Sequence, residues 1–269
     1  MDELVGRAQA GEAAALSELL VGLQDRVYGL ALRMLGDPTD AEDATQEILL
    51  KIANGLGSYR GESAFTTWVY RVASNYLLTT RQRRAERMEL SFEALSGVLE
   101  QGLGFAAAQE EDDPVNALLE EEVKLGCTHS MLLCLDREHR PAFVLGEVLE
   151  VNSTEAAAIL GIAAATFRKR LSRARARLRA FMTRRCGLVN QACACRCARQ
   201  VPFALHIGLV DREHPRFAAH PVRERVRELE RLEATTAVFR SHPEWAVPER
   251  FATRVRELID SGKFVVLSG

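Results

Sequence analysis

The densest chemistry in the chain lies past its middle. From Thr166 to Arg185 there are nine bases and no acid. Phe167, Leu171, Ala174 and Leu178 recur there at helical spacing and make one apolar stripe. A helix seated by that stripe turns Arg168, Lys169, Arg170 and Arg173 outward, and Thr166 and Ser172 are candidate duplex contacts beside them. Such side chains near a helix start can enter a major groove, where Arg reads guanine edges, while later bases hold phosphates. A second group runs through Tyr59, Arg60, Gly61, Glu62, Ser63, Ala64, Phe65, Thr66 and Trp68, followed by Arg71 and Asn75. Aromatics interleaved with hydroxyl, amide and basic groups suit unstacked single-stranded bases. Phe65 and Trp68 also occupy apolar helix positions, so core packing is the other reading for both.

A third group is Cys186, Cys193, Cys195 and Cys197, four thiols in 12 residues. Soft thiolates suit Zn(II) or Cu(I), although the spacing is not that of a paired zinc-finger motif. Arg184, Arg185, Arg196 and Arg199 flank them and are expected to lower the thiol pKa values. His206 and His214 lie downstream as further donors. A redox switch and unliganded thiols are the alternatives. Cys127 and Cys134, seven apart on a helical segment, read as small core residues.

These groups need elements to carry them. Apolar periodicity marks a helix over 12–35, broken at Gly36-Asp37-Pro38-Thr39. Asp40 reads as the N-cap of the next helix, which runs to about Leu56. Gly57–Glu62 is a loop, and Ser63–Thr80 resumes helix. Residues 88–116, with the run Glu110-Glu111-Asp112-Asp113-Pro114, read as a flexible acidic linker. Helical pattern returns over Val115–Leu135 and Pro141–Leu149. Asn152 with Glu155 makes a capping-box-like pair before Ala156–Leu160, Gly161 marks a turn, and Ala164–Met182 follows. That spacing is a helix-turn-helix. Val201–Val210 and Phe264–Leu267 carry some β character. Two further helices are expected over 219–260, one with a stripe of Val222, Val226, Leu229, Leu232 and Val238, the other with Phe251, Val255, Leu258 and Ile259. The fold class is all-α.

The 269 residues hold 35 Lys plus Arg against 37 Asp plus Glu, a formal charge of −2. A uniformly basic coat is thereby excluded, but the charge is segregated: net −5 over 1–80, −9 over 88–126 and +6 over 127–185. No apolar run approaches the ~20 residues that span a bilayer. The first residues lack a signal-peptide pattern. With few cysteines for the length, the expected setting is the cytoplasm, with reduced thiols. No nucleophile–base set and no phosphate loop is evident, so the expected chemistry is binding and not catalysis.

Asp40–Glu47, then Tyr59–Trp68, then the helix-turn-helix stand in an order that resembles the bacterial extracytoplasmic-function (ECF) sigma factors, over roughly residues 5–183. The resemblance implies a region 2 domain at 1–86, an acidic linker at 87–116, a region 4 helix-turn-helix domain at 117–183 and a cysteine-rich C-terminal extension at 184–269. It implies that Asp43, Gln46 and Glu47 face the clamp of core RNA polymerase. Residues Arg60–Thr67, with Trp68, Arg71 and Asn75, would capture a flipped non-template base of the minus-ten element. Arg168, Lys169, Arg170, Ser172 and Arg173 would read the minus-thirty-five element, and the linker would thread the polymerase's RNA path. The implied partners are core polymerase and promoter DNA, with silencing by an anti-sigma factor or by the extension itself. The tail looks similar to cysteine-rich tails that sense metal in some members. A stand-alone helix-turn-helix regulator responding to metal is the rival reading.

Overall fold

The computed structural model describes residues 1–85, 90–105, 114–217 and 234–248, together with Phe251, Thr253 and Glu257. All regular structure among them is helical. The chain divides into two compact units: residues 1–84 with 152–164 and the described residues from Glu244 onward, and residues 85–151 with 165–243.

In the first unit, α1 (Asp2–Gln9), α2 (Ala13–Leu35), α3 (Pro38–Gly55) and α4 (Phe65–Ala85) follow one another. Leu16, Leu19, Leu20, Leu23, Val27 and Leu30 of α2 are buried together with Ile48 and Ile52 of α3 and Val69, Ala73 and Leu77 of α4. The cap of α3 is Asp37, not Asp40: its carboxylate accepts the Asp40 N–H at 3.0 Å. Pro38 decides this. Lacking an N–H and locked near helical φ, proline fits the first helical position and places the cap one residue before it. From the far end of the chain, Trp245, 2% exposed, lies against α2 at Gly29, and the Val247 N–H donates to Asp25 Oδ1 at 3.0 Å. Phe251, expected on a helical stripe, is buried here too. The first unit also holds α8 (Ser153–Leu160), which opens on Asn152 as expected. The Asn152 side-chain oxygen accepts from Thr154 N–H (3.2 Å) and Glu155 N–H (3.0 Å), and its amide donates to Glu155 at 3.2 Å. The helix ends at Gly161, whose φ of 63° is left-handed.

In the second unit lie α5 (Phe92–Gly104), α6 (Pro114–Leu133), α7 (His139–Phe143) with a π-helical turn Val144–Val148, α9 (Ala164–Arg185), α10 (Cys197–His206) and α11 (Ala234–Arg240). Helix α5 lies inside the segment expected to be a flexible linker. Ser91 caps it by accepting the Ala94 N–H at 3.0 Å, Leu95 and Leu99 are buried, and Phe92 packs on Phe181 with ring centroids 5.1 Å apart. A short apolar face within an acidic composition is enough once apolar partners exist to cover it. The acid run Glu110–Asp113 lies outside the described residues.

The β character read at Val201–Val210 is overturned: Cys197–His206 is helix α10. Val201 and Ala204, three apart, pack with Val210 and with Leu119 and Val123 of α6, so the helical period buries what the strand period would split. Helix α11 is held by Phe239 against Phe143, centroids 5.1 Å apart, and by Thr236 donating to Glu147 at 2.9 Å. The stripe Val222–Leu232, the positions Val255, Leu258 and Ile259, and Phe264–Leu267 lie outside the described residues.

Two polar clusters lock the entry to α7. Arg140 is 1% exposed, yet its guanidinium donates to the carbonyls of Leu132 (2.6 Å), Leu133 (2.5 Å) and Leu135 (3.3 Å). A cation thus closes the carbonyl end of α6, where the helix leaves acceptors unpaired. Asp136 Oδ1 accepts the N–H groups of Glu138 and His139, both at 3.0 Å, and Asp136 Oδ2 meets Arg177 at 2.7 Å. Partial burial pushes the Asp136 carboxyl up. The His139 and Arg177 hydrogen bonds outweigh it and hold the group well below the usual carboxylate range.

Candidate nucleic-acid interface

In the first unit, the loop 59–64 joins α3 to α4 above an aromatic cluster. Tyr59, Phe65 and Trp68 have centroid separations of 5.2 Å (Tyr59–Phe65), 5.7 Å (Tyr59–Trp68) and 5.7 Å (Phe65–Trp68), the last pair stacked. Phe65 is 3% and Trp68 7% exposed. These two rings are therefore the floor of the loop and not free stacking platforms: the apolar side of α4 faces inward. The loop is tied from two sides. Tyr59 Oη donates to the Ser63 carbonyl at 2.8 Å, and Gln9 Nε2 donates to the carbonyls of Leu56 (2.9 Å) and Tyr59 (2.8 Å). A cleft of about 690 Å³ lies between α1 and this loop, lined by Asp2, Gly6, Gln9, Arg60, Ser63 and Thr66 among others. Its volume lies within the range of ligand pockets. Arg60, Gly61, Glu62 and Ala64 are exposed at the rim, and Arg71 and Asn75 are exposed further along α4. The α1 wall and Gln9 were not legible beforehand, because 50 residues separate Gln9 from Tyr59.

On α3, Asp43 and Glu47 are exposed and Gln46 partly so, while Ala44, Thr45, Ile48 and Leu49 are buried. Spacings of three and four residues put the three polar groups on one outward face.

In α9, the stripe Phe167, Leu171, Ala174 and Leu178 is buried as expected and continues through Phe181 and Met182. Thr166, Arg168, Lys169, Ser172 and Arg173 are exposed. Six of the nine bases fall into two sets. Arg170 pairs with Glu138 at 2.6 Å, Arg177 with Asp136 at 2.7 Å, and Arg175 with Glu147. Arg168, Lys169 and Arg173 pair with no acid among the described residues. Their charge is the part left for an outside anion.

The tail cysteines are free thiols, each partly buried. The expectation that neighbouring arginines lower the thiol pKa values fails for Cys186, Cys195 and Cys197. Burial pushes Cys186 and Cys195 up and takes Cys197 up to about 12. Desolvation of a thiolate outweighs distant cations, and Arg196 is engaged with the carbonyls of Cys195 (2.9 Å) and Gln191 (2.9 Å). His206 stacks on Phe105 with centroids 4.7 Å apart, and His214 pairs with Asp211 at 3.5 Å, so neither joins the thiols. Cys193 Sγ donates to the Thr183 carbonyl at 3.4 Å. Cys186, Cys195 and Cys197 instead line one small cavity, and Cys127 of α6 lines it with them. Cys127 was read as core, since nothing in the sequence brings it to residues 59 or more positions away. Among the described residues, no three His, Cys, Asp or Glu side chains are already disposed to hold a metal ion. No helix among them is long and apolar enough to cross a membrane.

Comparison with known proteins adds an independent line. Residues 19–87 match the family model for Sigma-70 region 2, and residues 125–178 that for Sigma-70, region 4. The RNA polymerase sigma-H factor of Pseudomonas aeruginosa is 31% identical over 176 residues, covering 64% of this chain and 89% of that protein. The ECF RNA polymerase sigma-E factor of Escherichia coli K12 is 34% identical over 176 residues, covering 64% and 88%. Among solved structures, that of CnrH in complex with the cytosolic domain of CnrY aligns with a TM-score of 0.47 at 25% identity, covering 66% of this chain and 94% of that one.

Proposed function

The chain belongs to the sigma-70 family of RNA polymerase sigma factors, and from that premise we propose a division of work along it. The Asp43–Gln46–Glu47 face docks on core RNA polymerase. The Arg60–Thr66 loop takes a flipped base of melted promoter DNA into the cleft beside α1. Arg168, Lys169, Ser172 and Arg173 contact the upstream duplex element. The observation that carries this reading is the cleft between α1 and the loop, lined by Tyr59, Arg60, Ser63, Phe65 and Thr66, because a regulator that binds only intact duplex has no use for it. Unstacking a base costs a few kcal/mol, which burial in such a pocket offsets.

Run-off transcription with core polymerase on a promoter library tests the proposal. A sigma factor starts defined transcripts; a stand-alone helix-turn-helix regulator starts none. The site of action is the cytoplasm, where the polymerase works.

The extension is proposed to govern activity. Its thiols, drawn from Cys186, Cys193, Cys195 and Cys197, have the softness that takes Zn(II) or Cu(I), and such an ion would cross-link elements that are otherwise joined by packing and a few hydrogen bonds. Oxidation of the same thiols is the redox version of this control. Silencing then comes from a separate anti-sigma protein or from the extension itself. The seat of Trp245 on α2 favours the extension, since part of the region 2 surface is already covered by it. Transcription by the full chain and by a chain ending at Arg185, at controlled zinc and copper, separates the two.

A further inference from the structure

We propose that the chain holds one thiophilic d10 cation, Zn(II) or Cu(I), in a closed four-thiolate site made by Cys127, Cys186, Cys195 and Cys197, with Cys193 outside it. The inference deepens the metal reading of the tail and rests on it. What it changes is the ligand set, and therefore the part the ion plays.

Four thiols line a single cavity of about 30 Å³, with Leu99, Val123, Met131 and Leu188 as apolar walls. They come from separate places: Cys127 from α6, Cys186 from just beyond α9, Cys195 from just before α10 and Cys197 from the first residue of α10. Four soft donors on one small cavity, with Arg185, Gly187 and Gln200 completing its lining, match the donor set of a closed structural site, in which four cysteines surround the ion and no position stays open to water. Each cysteine has one side-chain torsion, and loading the ion requires the thiols to turn onto a common centre that they do not already share. Each thiol that ligates gives up its proton to solvent, and the ion's charge replaces it.

The surroundings are already arranged. Gln200, 5% exposed, donates to Cys195 Sγ at 3.6 Å and to the Leu99 carbonyl at 3.0 Å, fixing one ligand from outside the site. Arg196 holds the loop carbonyls of Gln191 (2.9 Å), Cys193 (2.5 Å) and Cys195 (2.9 Å), and the Gly187 N–H donates to the Cys195 carbonyl at 3.1 Å, so the chain returns on itself beside Cys186. Cys197 is the first residue of α10. Cys193 is turned away to the Thr183 carbonyl. The ion therefore staples the extension to α6 of the second unit.

Thiol protection in the full-length wild-type chain is the test. The chain is stripped of metal, reloaded with Zn(II) or with Cu(I) under reducing conditions, alkylated, and read by peptide mass spectrometry. One ion per chain is expected, with Cys127, Cys186, Cys195 and Cys197 protected and Cys193 and Cys134 labelled alike in both forms. The arm that protects at stoichiometric metal identifies the ion. As a second measurement, Cys127→Ser is expected to weaken binding by about 100-fold or more, beyond what loss of an outer partner costs, while Cys193→Ser binds as wild type. Protection of Cys193 in place of Cys127 overturns the four-thiol site and leaves a tail-only metal site standing. Failure of wild type to bind either ion overturns both.

Discussion

The division of the α9 bases into paired and unpaired sets leads to a quantitative expectation. Each phosphate neutralised on duplex DNA lowers the salt slope of log K by about 0.9. Arg168, Lys169 and Arg173 are exposed without an acidic partner, so replacing all three with Ala is expected to flatten the slope by up to about 2.7. Between 50 and 200 mM salt, wild type then loses about 40-fold more affinity than the triple variant. Arg177→Ala removes a base already paired with Asp136, and its effect on the slope is expected to be much smaller. Fluorescence anisotropy of the full-length chain on a duplex of arbitrary sequence reads this directly, because phosphate contacts carry no sequence information. An unchanged slope in the triple variant, or an Arg177→Ala effect as large as that of Arg173→Ala, would refute the reasoning. On a cognate promoter, Arg173→Ala is further expected to cost about 1–3 kcal/mol if the residue reads a base edge.

Gly61 sits at φ 73° in the capture loop, so Gly61→Ala introduces about 1–2 kcal/mol of local strain; permanganate reactivity of melted thymines should fall while duplex binding holds, and unimpaired opening would remove the loop from the mechanism. Arg140→Met leaves carbonyls at the end of α6 without their donor and is expected to destabilise the chain by about 2–4 kcal/mol in urea unfolding; a shift below 1 kcal/mol would mean water replaces the guanidinium at ease. Asp136 has a depressed folded pKa, so its stabilisation is present above about pH 4 and is lost as pH falls toward the folded value. Urea midpoints of Asp136→Asn should therefore fall less steeply than wild type from about pH 6 to about pH 3, and parallel curves would count against that carboxylate.

What was legible in the sequence follows the range of the interactions responsible. The buried stripe of α9, the Asn152 cap and the Gly161 turn rest on residues within one or two helical turns, so periodicity and capping chemistry reveal them. The cap of α3 is equally local, and Pro38 points to Asp37, but the acid-rich first turn makes Asp40 read as the cap in its place. Helix α5 was obscured because an acidic average masks Leu95 and Leu99, which gain a partner only in the folded chain. The same holds for α10, whose short apolar run reads as strand until α6 covers one side of it.

The candidate sites divide in the same way. Residue types and spacing alone determined an outward basic helix face, an aromatic-rich loop and a thiol-rich tail. Tertiary structure decided which of those groups are free to act. It spent Arg170, Arg175 and Arg177 on acids of the same unit, sank Phe65 and Trp68 beneath the loop, and set Gln9 to hold that loop from α1. It also dried the thiols enough to reverse the pKa shift expected from their arginine neighbours, and brought Cys127 to residues from which 59 or more positions of chain separate it. The physical reason is common to all: charge pairing, desolvation and ligand convergence depend on distance in space, which chain order leaves open beyond a few turns of helix.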